Sequence, residues 1–128
     1  MHMSLTALLV HDYDDAIAYF TDVLGFRLVE DSPSETNDGR PKRWVVVKPA
    51  DAQTGLLLAK ADGADQEALV GRQHGGRVGF FLRVDDFDAV LERVRAAGSP
   101  VRGAPRDEPY GRVVVFEDLY GNPWDLLG

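Results

Sequence analysis

Arg77-Val78-Gly79-Phe80-Phe81-Leu82-Arg83-Val84, then Asp85-Asp86, then Phe87-Asp88-Ala89-Val90-Leu91-Glu92-Arg93-Val94, is the stretch whose reading decides the fold. Its first eight residues alternate: Val78, Phe80, Leu82 and Val84 share one face, and Arg77, Gly79, Phe81 and Arg83 the other. That period of two predicts a strand between two environments, with the apolar face under the following helix. Asp86 stands where an N-cap satisfies the free amides of a first turn, and Gly98 stands where a helix over 87–97 would stop. The unit is a strand followed by a helix, punctuated at both ends.

The same unit occurs near the start of the chain. Leu5 to Val10 lead through Asp12 into Tyr13-Asp14-Asp15-Ala16-Ile17-Ala18-Tyr19-Phe20 and end at Leu24-Gly25. Setting Val10 on Val84 places Asp12 on Asp86, Tyr13 on Phe87 and Asp14 on Asp88, and the terminating glycines fall within one residue of register. Two copies fit a duplicated module rather than a solenoid, which needs three or more repeats. The chain is expected to be one α+β domain of two β-α-β-β-β modules, about 4–60 and 77–127, joined by a connector over 61–76.

Within the first module, Ala16, Ile17, Phe20 and Leu24 form the buried stripe of a helix over 13–24. Asp12 with Asp15 reads as a capping pair rather than as catalytic carboxylates. Strands are expected over 26–30, 43–48 and 55–60, with 31–41 a mobile surface loop and a short helix near 65–70. The second module repeats the order, with a weak strand over 100–103 and strands over 112–117 and 124–127.

At 128 residues the chain supports one proper core. Its 45% apolar and 27% charged residues are those of a globular protein. A net charge of −7 repels nucleic acid, no basic stripe is present, and the balance leans mildly towards cationic ligands. With no cysteine, disulfides, thiolate metal sites and a cysteine nucleophile are excluded. No basic segment leads into an apolar run and no stretch approaches membrane-span length, so the cytoplasm is the expected compartment.

Two segments carry a family resemblance. The run from Val10 to Phe26, with its helix followed by Leu24-Gly25-Phe26, is one; Val84 to Asp88 with Phe116-Glu117-Asp118-Leu119-Tyr120-Gly121-Asn122-Pro123-Trp124-Asp125-Leu126 is the other. In these the chain resembles the vicinal oxygen chelate superfamily of glyoxalase I, bleomycin resistance proteins and extradiol dioxygenases. The resemblance implies curved mixed sheets forming a cleft, with helices on the outer face. It also implies four positions for a divalent ion in the metal-dependent members: a His or Gln on the first strand of each module and a carboxylate on the last. Carried onto this sequence they fall on Leu5, Gly79, near Leu58 and on Asp125, and only Asp125 has a donor. One ligand out of four does not hold a catalytic ion, so neither a metal nor another cofactor is expected, and metal-dependent glyoxalase or dioxygenase chemistry is disfavoured.

The resemblance further implies that the sheet faces away from the helices line a ligand cavity. Leu5, Ala7, Leu9, Leu56, Leu58, Gly79, Phe81, Arg83 and Asp125 are expected there, with Arg83 and Asp125 either paired or touching ligand. Trp44, Tyr110 and Trp124 are candidate aromatic surface, although each Trp fits a core equally well. His11 reads as a solvated turn residue and His74 as a loop residue, neither with an acidic partner at a spacing that suggests activation. Family habit implies a homodimer. The leading expectation is metal-free binding of a small aromatic or cationic molecule. Its rivals are a metal-independent enzyme of lyase or isomerase type using Asp125 as base, and a structural or regulatory dimer without a ligand.

Overall fold

A computed structural model describes residues 1–128. The chain divides into two compact units, residues 1–70 and 71–128. In the first, β1 (Leu5–Val10) leads to α1 (Tyr13–Ala18), then β2 (Arg27–Glu35), β3 (Pro41–Lys48), β4 (Gly55–Lys60) and the short α2 (Ala64–Leu69). In the second, β5 (Phe80–Arg83) leads to α3 (Phe87–Ala96), then β6 (Val101–Glu108), β7 (Gly111–Glu117) and β8 (Pro123–Leu127). Their sheets run β1-β4-β3-β2 and β5-β8-β7-β6. Each has one parallel pair, first strand with last, and two antiparallel pairs. The α+β class and the duplicated β-α-β-β-β order are those read from the sequence. The connector is shared: α2 belongs to the first unit, and Gly71 onward to the second.

Both caps form as their residue types require. Asp12 accepts a hydrogen bond from the Asp15 amide at 2.8 Å, and Asp86 from the Ala89 amide at 3.1 Å. Gly98, at φ +79°, ends α3 in a conformation that a side chain disfavours. The first helix departs from the expected 13–24. Its α-helical part ends at Ala18, and Tyr19–Val23 continue as a π-helical turn, with the Leu24 amide bonded to the Tyr19 carbonyl at 3.4 Å. The wider turn lets two consecutive aromatics, Tyr19 and Phe20, both enter the core, edge to face at 5.5 Å.

The expected loop over 31–41 is instead mostly strand. β2 pairs with β3 from Arg27↔Lys48 to Glu35↔Pro41, so only 36–40 remain as a hairpin tip. The strand gives no apolar alternation because it lies at the sheet edge and is largely solvated, and that edge position also tolerates Pro33. β6 likewise runs well beyond the expected 100–103 as the solvated edge of the second sheet. β5 is shorter than read, because pairing with β8 begins at Phe80↔Trp124.

Candidate functional site

Strand register sorts the expected site residues onto faces. In the first unit Ala7 lies beside Leu57, Leu57 opposite Val46, and Val46 opposite Glu30; Leu5, Leu9, Ala59 and Trp44 share that side by alternation. The other side carries Leu8, Leu58, Val45 and Val47, all fully buried. Leu58 and Leu56 therefore do not line the open face: they pack on the helix-covered side, and Leu57 and Ala59 take their places. The face assignment shifts by one residue from that expected because Gly55-Leu56-Leu57-Leu58-Ala59 is apolar throughout, and alternation carries no signal in such a run. Leu5 and Trp44 do lie on the open face. Trp44 keeps 36% of its surface exposed.

In the second unit, one row of the open face runs Phe81, Asp125, Val115, Arg102, and the next includes Arg83, Leu127 and Val113. Phe81 is 64% exposed and Asp125 half-buried. Arg83 donates to the Tyr110 carbonyl at 3.1 Å rather than to Asp125, its register partner being Leu127. Tyr110 is exposed in the turn before β7. Trp124 is core: it stacks on Phe80 at 4.5 Å, and its indole N–H donates to Asp118 at 2.9 Å. His74 packs its ring edge-on against Phe80 at 5.0 Å and sits over Gly79, in the volume that a side chain at 79 would occupy.

The four positions that the resemblance assigns to a divalent ion can now be fixed by register. Asp125 neighbours Phe81, whose repeat mate Ala7 neighbours Leu57, so the first-module carboxylate position is Leu57. Leu5, Leu57 and Gly79 offer no donor. Nowhere in the chain do three His, Asp or Glu side chains converge on a point that an ion would take. The donor set does not fit such an ion, since a catalytic site needs about three protein ligands.

A groove of 620 Å³ opens in the first unit where β3 and β4 part. Their pairing is confined to Val46↔Leu57 and Val47↔Leu56, although β3 runs back to Pro41 and β4 on to Lys60. Tyr13 stands at the split, its hydroxyl accepting from the Arg43 amide at 3.2 Å and its ring lying under the Arg43 guanidinium at 5.0 Å. Arg43 pairs with Asp31 at 2.6 Å and Asp14 at 2.9 Å. The hairpin tip is clasped to the far wall by Arg40, which holds both oxygens of Asp62 at 2.9 and 2.7 Å and also pairs with Asp38. Hydrogen bonds and charge from these guanidiniums hold the carboxyls of Asp31, Asp38 and Asp62 below the usual range, with the hydrogen bond from Thr36 the largest cause for Asp38.

Two local features escaped the sequence. His11 does have an acidic partner, since its Nδ1 lies 2.7 Å from Glu67 Oε2 and so ties the end of β1 to α2. The partner is 56 residues away, beyond any spacing rule. Asp118, read only as part of a family motif, is a buried carboxylate. It accepts the amides of Tyr120 and Asn122 at 3.0 Å each, besides the Asn122 and Trp124 side chains.

Residues 2–126 match the sequence model of the Glyoxalase/Bleomycin resistance protein/Dioxygenase superfamily. An uncharacterized protein of Shewanella frigidimarina (strain NCIMB 400) is 46% identical over 122 residues, spanning 94% of this chain and 88% of the relative. Among solved structures, TnmS3, an antibiotic binding protein from Streptomyces sp. CB03234, is 31% identical with a TM-score of 0.75, covering 99% of this chain and 94% of that one. A glyoxalase/bleomycin resistance protein from the same Streptomyces strain is 30% identical with a TM-score of 0.73, covering 99% and 100%.

Proposed function

The chain belongs to the Glyoxalase/Bleomycin resistance protein/Dioxygenase superfamily, and from that premise we propose that it binds a small, flat organic molecule without a metal ion. The observation that carries this reading is the pairing of two features on the open faces. Of the positions that would hold an ion, Leu5 and Leu57 in the first unit and Gly79 in the second have no donor and only Asp125 has one, and the open face of each unit keeps a large aromatic side chain, Trp44 or Phe81, in contact with solvent. Exposed aromatic rings beside half-buried aliphatic side chains are what an apolar ligand displaces water from. TnmS3 is named an antibiotic binding protein, which supports small-molecule binding as such.

The test is a thermal-shift screen of chelator-treated protein against planar aromatic antibiotics. A ligand at about 100 times its Kd stabilises by about 2.7 kcal/mol, a shift of several degrees for a chain of this size. Such a shift in the presence of chelator, with the compound recovered unchanged, is the expected result. Turnover that resists chelator and disappears in Asp125→Asn would replace binding by metal-independent catalysis. No shift with any compound would remove the reading.

A further inference from the structure

Deepening that reading, and resting on it, we propose that the split between β3 and β4 is the binding site of a planar aromatic anion, an aryl carboxylate or its equivalent. Of the basic groups along the groove, Arg40 is tied to Asp38 and Asp62, and Arg43 to Asp14 and Asp31. The acidic groups along it, Asp38 and Asp62, are both held by Arg40. The remaining charges are Lys42, on β3 and by alternation on the Trp44 face of the sheet, and Lys60, at the end of β4 and on the Leu58 face, and neither has an ion-pair partner. The side chains that line the groove, Arg40, Lys42, Arg43 and Lys60 against Asp38 and Asp62, sum to +2, and Asp14 and Asp31, which pair with Arg43 outside the lining, bring the whole cluster to zero, although the whole chain carries −7. A cationic ligand, expected from that total, would meet two free ammonium groups here.

The rest of the groove fits a ring. Trp44 from β3 and Leu57 and Ala59 from β4 line it, and Trp44 keeps part of its indole exposed. The two strands are unpaired at this point, so a flat group enters without breaking ladder hydrogen bonds. The volume of 620 Å³ lies within the range of small-molecule pockets. Aromatic stacking supplies contact, and the lysines supply the preference for charge.

The experiment is isothermal titration of chelator-treated protein with three probes that share one ring system: 2-naphthoate, 2-naphthol and 2-(aminomethyl)naphthalene. Amide shifts in 1H–15N spectra locate each probe. Naphthoate should bind on the order of tenfold more tightly than the amine, weaken with added salt and shift the Trp44 indole resonance. Lys42→Glu with Lys60→Glu, both at exposed positions and checked for native spectra, should reverse the order of the two charged probes. Equal or tighter binding of the amine in the unaltered protein, or no change of order in the lysine variant, overturns the proposal. If 2-naphthol binds as well as naphthoate regardless of the lysines, metal-free aromatic binding stands and the anion preference falls. If none of the probes binds, this site is wrong whatever the antibiotic screen returns.

Discussion

Trp124 donates its indole N–H to the Asp118 carboxylate over 2.9 Å, inside the turn that brings β8 back beside β7. The same carboxylate collects two backbone amides and the Asn122 side chain, so a buried negative group is fully satisfied by neutral donors four to six residues away or nearer. This turn sets the register that places Asp125 beside Phe81 on the open face. Replacing Asp118 by Ala leaves buried donors on Trp124 and Asn122 without acceptors. Stability in urea should fall by about 2–4 kcal/mol, with loss of the native Trp emission maximum in the destabilised fraction.

Leu57 and Leu58 are neighbours with opposite duties. Leu58 is fully buried against the helix-covered side, and Leu57 is half-buried on the open one. Leu58→Ala should cost about 2–5 kcal/mol of unfolding free energy, whereas Leu57→Ala should cost under about 1.5 kcal/mol. Leu57→Ala should instead weaken aromatic ligands. Chemical denaturation of the two variants side by side decides the face assignment, and equal losses would contradict it.

His74 and Gly79 are coupled through space. A methyl group at 79 meets the His74 ring, and the backbone at 79 is not in the left-handed region, so the ring alone makes Ala unfavourable there. Gly79→Ala should destabilise by about 1–3 kcal/mol. Removing the ring in His74→Ala should recover most of that loss, giving a coupling of about 1 kcal/mol or more in a double-mutant cycle. Additive losses would show that the ring moves aside freely.

The hairpin clasp makes stability depend on acid. Asp38 and Asp62 titrate below the ordinary carboxylate range in the folded chain because Thr36 and Arg40 hydrogen bond to them. A carboxyl depressed in this way stabilises the fold above its unfolded pKa of about 4, and that contribution is lost as the pH falls through the lower folded value. Arg40→Met should therefore lower Tm at neutral pH, and the gap from the unaltered protein should close as the pH drops below about 4. A gap independent of pH would assign the loss to packing.

The duplicated order was legible because Asp12 and Asp86, Gly25 and Gly98, and the alternating strands that precede the helices each state one local physical requirement, and state it twice. Register in β4 was not. Leu56, Leu57 and Leu58 are interchangeable by polarity, and only pairing with β1 decides which of them faces away. The edge strands β2 and β6 were under-read for the opposite reason: they are solvated on both sides, so no apolar pattern marks them. The groove was invisible because it depends on two strands parting and on a clasp between Arg40 and Asp62, 22 residues apart. Trp44 was the one residue of that groove that its chemistry alone brought forward.

Whether side chains or an ion hold the proposed ligand is decided by measuring Tm with the best-binding aromatic compound, in chelator and again with nickel, zinc or manganese at a few equivalents. The expected result is one ligand-induced shift, the same in every condition, and no shift from metal alone. A saturable rise from one equivalent of metal, lost in Asp125→Asn, or a ligand shift that appears only when metal is present, would contradict binding by side chains alone.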